Sequence, residues 1–186
     1  ADPGTELSQI EEQLFLGINQ REGWKRHWQK VTGSTPLGSF EWVRTDSIDA
    51  LPMPEKNPML AGDPLKGFQF EHPEGKGTID IYSSKVETRG SLSNSFYNPD
   101  GEVIFYKSDG MKERLLFMGP SGLFEEGFWL SPSLFLVLGY FEEMEGYRPM
   151  AWVIDTEKYL LYQFQHEVFC QVLARIGLRI CNQKLG

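Results

Sequence analysis

Apolar residues recur at three- and four-residue steps at the start of this chain and at two-residue steps through most of the rest. Leu7, Ile10, Leu14 and Ile18 fall on one stripe of a helix, with Glu11, Glu12 and Gln13 between them. The spacing predicts a helix over residues 6–20, with Thr5 as a candidate cap. Trp24 to Thr32 fits either period, since Trp24 and Trp28 share a helix face and also one face of a strand. From Phe40 onward alternation takes over. Phe40, Trp42 and Arg44 alternate with Glu41, Val43 and Thr45, as in a half-buried strand. The same signal predicts strands over residues 67–71, 77–83, 91–97, 102–107, 113–118, 126–130, 134–141, 150–155 and 159–168.

Turn chemistry separates these segments. In Asn98-Pro99-Asp100-Gly101 proline presets the second turn position and glycine accepts a positive φ at the last. Ser108-Asp109-Gly110, Gly119-Pro120-Ser121-Gly122, Glu145-Gly146 and Asp155-Thr156-Glu157 punctuate the chain in the same way. Residues 50–66 carry Pro52, Pro54, Pro58 and Pro64 with little periodicity, which predicts a long surface loop. A helix followed by many short strands, without strand–helix–strand alternation, predicts a mainly β fold. The expected architecture is a single antiparallel up-and-down β-barrel with an N-terminal helix, spanning residues 6–182. Val168, Phe169, Val172, Leu173 and Ile176 suit a short C-terminal helix or a continued strand. Ala1-Asp2-Pro3-Gly4-Thr5 reads as an appended scar or a disordered terminus outside the fold. Closure removes exposed strand edges, and a barrel of about eight strands has room for one small ligand.

Composition narrows the partners. The 186 residues carry a formal net charge of −8, which repels phosphate backbones and anionic headgroups. Nucleic acid is therefore not an expected partner, and Lys25, Arg26, His27 and Lys30 form the only dense basic group. The longest apolar stretch, Phe128 to Phe141, is broken by Ser131-Pro132-Ser133 and is too short to span a bilayer. Cys170 and Cys181 make no disulfide framework and no zinc spacing. In an oxidising compartment they have one bridge open to them; free thiols are the alternative. Gly119-Pro120-Ser121-Gly122 lacks the spacing of a nucleophile elbow, and no phosphate loop or dinucleotide fingerprint is present.

Several short segments carry a resemblance. Gly122-Leu123-Phe124, Gly127, Leu130-Ser131-Pro132, Phe135, Gly139, Glu145-Gly146-Tyr147-Arg148 and His166-Glu167 resemble the motifs of a calycin-type domain family of unknown function in cyanobacteria and plastids. Phe96-Tyr97-Asn98-Pro99-Asp100-Gly101 is similar to that family's central hairpin, and Asn19 to Val31 to its first strand. Leu134 and Leu136 depart from the Glu and Phe usual around the Ser-Pro segment, and His166 stands where Arg is common. The superfamily includes lipocalins, fatty-acid-binding proteins and S-type phycobiliprotein lyases. The resemblance implies a lipocalin-like barrel for a small apolar molecule: a fatty acid, a carotenoid, haem, or a bilin or other tetrapyrrole. It implies a phycobiliprotein or other pigment protein as partner, and plastid stroma or cyanobacterial cytoplasm as location. It supplies no catalytic residue.

The aromatic side chains are the main candidates for ligand contact, because cavities are lined by such groups with a few polar ones. The candidate ligand-binding set is Trp24, Trp28, Trp42, Phe96, Phe117, Trp129, Phe135, Tyr140, Arg148, Trp152, Tyr162 and His166. Core packing is the alternative role for each aromatic. Arg148, with Arg44 and Arg114 behind it, suits a ligand carboxylate through its planar fork, or else an ordinary ion pair. His166, beside Glu167, is either half of a general-base pair or a hydrogen-bonded structural histidine. Glu125-Glu126 and Glu142-Glu143-Glu145 are placed at turns, as solvated charge or else as paired carboxylates for hydrolysis. Three functions follow as expectations: a non-enzymatic binding protein, a bilin lyase or isomerase, and an assembly module with a filled barrel.

Overall fold

The computed structural model describes residues 2–32, 40–88, 95–144, 146–173 and 178–183. Helix α1 runs Pro3–Gln20 and helix α2 runs Glu22–Thr32. The first helix therefore starts before Thr5, inside the segment expected to lie outside the fold. Pro3 suits a first helical turn because its missing N–H has no intrahelical partner there, and the Asp2 carbonyl accepts from Thr5 and Glu6 N–H at 3.0 and 3.1 Å. Residues 19–31, expected from the resemblance as a first strand, are helical apart from the junction at Arg21. The i, i+4 spacing of Trp24 and Trp28 explains why: both indoles then lie on one face and are buried together.

Fourteen strands follow among the described residues, and every pairing between them is antiparallel. They are β1 Phe40–Ser47, β2 Met53–Pro54, β3 Gln69–Glu71, β4 Gly77–Asp80, β5 Val86–Thr88, β6 Ser95–Tyr97, β7 Gly101–Lys107 and β8 Met111–Met118. After these come β9 Gly122–Trp129, β10 Leu134–Glu143, β11 Gly146–Asp155, β12 Leu160–His166, β13 Val168–Leu173 and β14 Leu178–Gln183. Of the two readings open for the tail, a short helix or a continued strand, the second holds: it is the hairpin β13–β14. Two expected strands are shortened by side-chain capping. Asp63 accepts from Leu65 N–H at 2.8 Å and starts a 3-10 turn over Pro64–Phe68. Asp80 accepts from Tyr82 and Ser83 N–H at 3.0 and 2.8 Å, ending β4 early.

The large sheet has the order β1-β12-β11-β10-β9, with β13 on β11 and β14 on β13. The second sheet has the order β2-β8-β7-β4-β3, and β5 pairs with β6 separately. Among the described residues no ladder joins the large sheet to the second, so hydrogen bonds do not close them into the expected ring. The two sheets instead face one another across a shared core. Ile79, Val103, Phe105 and Leu115 from one meet Phe124, Phe135, Val137, Trp152 and Ile154 from the other.

The helices cover the opposite face of the large sheet, giving three layers. Leu136, Leu138, Ala151, Val153 and Phe164 point to Ile10, Leu14, Ile18, Trp24 and Trp28. Strand β10 is thus buried on both sides, which accounts for the unbroken apolar run Leu134–Leu138. Each fully buried side chain of this size contributes about 1.5–3 kcal/mol over its exposed state. Gly17 lets α1 approach closely, since a Cβ there would collide with Leu130.

Candidate functional site

A break in strand register builds the most distinctive site. Along β9 and β10, Leu138 pairs with Glu126 but Gly139 pairs with Phe124, leaving Glu125 as an extra, unpaired residue. Such a bulge re-aims side chains. Here Phe124 joins the inter-sheet core while Glu125 hydrogen-bonds the indoles of α2. Gly139, opposite the bulge, has no room for a side chain because a Cβ would strike the Leu123 carbonyl. Glu125 therefore lies in a strand rather than at the expected turn.

Two indole N–H groups converge on that carboxylate. Trp24 Nε1 donates to Glu125 Oε2 at 2.9 Å and Trp28 Nε1 donates to the same oxygen at 3.0 Å. A recess of about 220 Å³ opens beside them, lined by His27, Trp28, Leu123, Glu125, Tyr140 and Tyr147. Its rings stand at steep angles to one another. Trp28 and Tyr140 are 6.0 Å apart at 60°, and Tyr140 and Tyr147 are 5.2 Å apart at 83°. His27 stands edge-on to Trp28 at 5.8 Å and 87°. The recess thus brings together ring surface, one imidazole and one carboxylate.

The aromatic and polar candidates do not line one chamber. Trp24, Trp28, Tyr140 and Tyr162 lie in the layer between helices and large sheet. Trp129, Phe135 and Trp152 lie between the sheets, where Trp152 meets Phe124 edge-on at 5.2 Å and Trp129 meets Phe135 at 5.0 Å. Trp42 and Phe117 are 45% and 51% exposed, on strands that turn them to solvent. The side chain of Phe96, like those of Cys170 and Cys181, lies outside the described residues. Arg148 is held by Glu143, with Nε to Oε1 at 2.6 Å, and donates from Nη1 to the His166 carbonyl at 3.0 Å. His166 is fully buried, edge-on to Phe40 at 5.2 Å.

The remaining ionisable groups near these layers are engaged structurally. His72 accepts the Glu74 N–H on Nδ1 at 3.0 Å, so its Nε2 carries the proton donated to the Pro132 carbonyl at 2.7 Å. Glu113 accepts from Tyr159 and Lys107. Burial and the Glu113 carboxylate push the Tyr159 hydroxyl up. Burial works to lower Lys107, but its hydrogen bond to Glu113 and that carboxylate's charge win, and it is raised. Tyr162 is pushed up to about 12, first by burial and then by Glu6, to which its hydroxyl donates at 3.2 Å. Arg44 pairs with Asp46 at 2.8 Å, and Arg114 with Glu102 at 3.4 Å. Among the described residues no group of three or more His, Cys, Asp or Glu stands close enough to hold a metal, and no helix is long and apolar enough to cross a membrane.

A larger cleft of about 360 Å³ lies between α1 and the β11–β12 turn. Its walls combine side chains of α1 with those of the turns before β10 and after β11, and Lys158 already bridges it to Glu6 at 2.5 Å. The aromatic recess is the better candidate because it combines ring faces with a fixed charge. Glu125, His27 and Tyr147 were not among the sequence candidates. No family model, curated protein or solved structure matches this chain.

Proposed function

We propose that this chain is a non-enzymatic binding protein of calycin-like build, with the two facing sheets as the halves of a flattened barrel. Its small ligand seats in the aromatic recess outside the large sheet. The observation that carries this reading is the convergence of Trp24 and Trp28 on Glu125 at an open recess. Two neutral donors fix the carboxylate in place, and fixed polar groups among aromatic walls are what give a binding site its specificity. A fatty acid, carotenoid, haem or bilin between the sheets needs room that Phe124, Phe135, Trp152 and Ile154 occupy.

Tryptophan fluorescence tests the reading. A panel of small cations, small aromatics, a fatty acid, haem and a bilin is titrated into the full chain. A ligand in the recess alters the emission of wild type and of Trp152→Phe, and loses most of that effect in Trp28→Phe. A response lost in Trp152→Phe and kept in Trp28→Phe puts the ligand between the sheets and overturns the recess as its seat.

The filled inter-sheet core favours a second reading, an assembly module that binds another protein through its surface. Native mass spectrometry separates the two: a stoichiometric protein partner with no small-molecule adduct supports the module.

A further inference from the structure

Taking the recess as the ligand seat, we propose that its ligand is a small methylated ammonium cation of the choline type. Charge is the first argument. Glu125 is half-buried, its Oε2 is taken by two neutral indole donors, and no cationic side chain pairs with it among the described residues. Neutral donors orient a carboxylate without cancelling its charge, and in partly desolvated surroundings that charge attracts a cation strongly. Lys25, on the same helix as the two indoles, is engaged by Glu22 at 3.0 Å, and the His27 ring stands edge-on to Trp28.

The walls are the second argument. Trp28, Tyr140 and Tyr147 pack edge to face on one another at 60° and 83°, with Trp28 buried and the two tyrosines part-exposed, so the ring surface a guest can reach beside Glu125 is mainly that of the tyrosines. Ring faces attract cations through the quadrupole, and Trp and Tyr do so best. A quaternary ammonium has no N–H, so it loses no hydrogen bond on entering, whereas a lysine-type ammonium brings three donors that need acceptors. Size is the third. About 220 Å³ lies below the roughly 300–1,000 Å³ of sites for drug-sized ligands. The recess has room for a compact cationic head and too little to enclose an acyl chain or a tetrapyrrole.

Isothermal titration of the full chain at constant ionic strength tests this, with choline, tetramethylammonium and 3,3-dimethyl-1-butanol, the uncharged carbon analogue of choline. Both cations should bind with one site per chain, and the uncharged analogue roughly tenfold or more weaker. Glu125→Gln keeps an acceptor for both indoles, so it should leave near-UV circular dichroism and the weak binding of the analogue unchanged. It should lower choline affinity by about tenfold or more. Equal affinity for choline and its analogue overturns the cation and leaves the recess as an apolar seat. No heat with either, while another ligand still quenches through Trp28, does the same. No ligand acting through Trp28 overturns the recess itself. Co-sedimentation with phosphatidylcholine but not phosphatidylglycerol vesicles supports the same chemistry carried on a lipid headgroup; choline binding without sedimentation supports a free compound.

Discussion

The two faces of the large sheet solve burial differently. Toward the second sheet, β10 and β11 present Phe135, Val137, Trp152 and Ile154 to other apolar groups, and the space is full. Toward the helices, the same strands present Leu136, Leu138, Ala151 and Val153, but α2 brings two indoles whose N–H groups need partners. A buried indole N–H without an acceptor costs about 1–3 kcal/mol, so this layer must include a polar group. Glu125 supplies it, and the strand bulges there to do so. The inter-sheet layer meets its indole demand from the backbone, Trp129 Nε1 donating to the Phe70 carbonyl at 3.3 Å, whereas the helix-side layer meets it with a carboxylate beside an open recess.

The sharpest way to break the comparison is to cut a large ring from the full face. Trp152→Ala should lower stability by about 3–5 kcal/mol in equilibrium denaturation. A loss under about 1 kcal/mol would mean the inter-sheet layer is loosely packed after all. Next comes Trp28→Phe, which keeps most of the ring but leaves Glu125 with one donor. It should cost about 1.5–3 kcal/mol, the range for a hydrogen bond to a charged group, and less in a Glu125→Gln background, where the acceptor is neutral. Equal costs in both backgrounds would remove the hydrogen-bond account of this face.

Tyr162 and Tyr106 give a smaller effect with a pH signature. Both hydroxyls are pushed up to about 12, by burial first and then by Glu6 for Tyr162 and by Asp80 for Tyr106. The fold therefore favours the neutral phenols. That stability is complete below pH 10 and is lost as pH rises through 12. Tyr162→Phe should cost about 0.5–1.5 kcal/mol at neutral pH and make the fall above pH 10 shallower, as followed by circular dichroism. An unchanged alkaline limb would show that Tyr162 does not titrate with unfolding. Smallest of all, Trp42→Ala on the exposed edge strand should move stability by no more than about 0.5 kcal/mol in the same denaturation measurement. A larger loss would mean that this edge is covered.

Periodicity made much of this fold legible. Alternation located the strands from Phe40 onward, and Asx and proline turns marked their ends, because those signals are local. Closure was not legible, since it depends on which edges meet, and that is decided by packing across the whole chain. The site was legible only in part. Trp24 and Trp28 carried the i, i+4 clue, but it fits strand alternation too, and the resemblance pulled toward the strand. Sequence alone makes Glu125 solvated charge, as adjacent acids usually are. The sign of its bulge was present nonetheless. Phe124 and Trp129 both join the inter-sheet layer although an odd number of steps separates them, which strict alternation forbids. That sign becomes readable only once the facing of both residues is known. Segments ending in capped turns, such as that at Asp80, were overextended because propensity does not see a side chain capturing the backbone.

The ties of the N-terminal segment have a consequence for synthesis. Helix α1 holds Lys158 and Tyr162 through Glu6, and β1 lies along β12 from Phe40 against His166 to Ser47 against Leu160. Helix α1 and β1 thus leave the ribosome well before the residues they end against, Glu6 preceding Lys158 by 152 positions and Tyr162 by 156, about 8–30 s at ordinary elongation rates. Until β10 and β11 follow, the apolar stripe of Ile10, Leu14 and Ile18 lacks its cover from the large sheet. The meander β7 to β12, whose neighbours in sequence are mostly neighbours in space, assembles without waiting. Its outer face is then the template onto which the beginning of the chain is folded last.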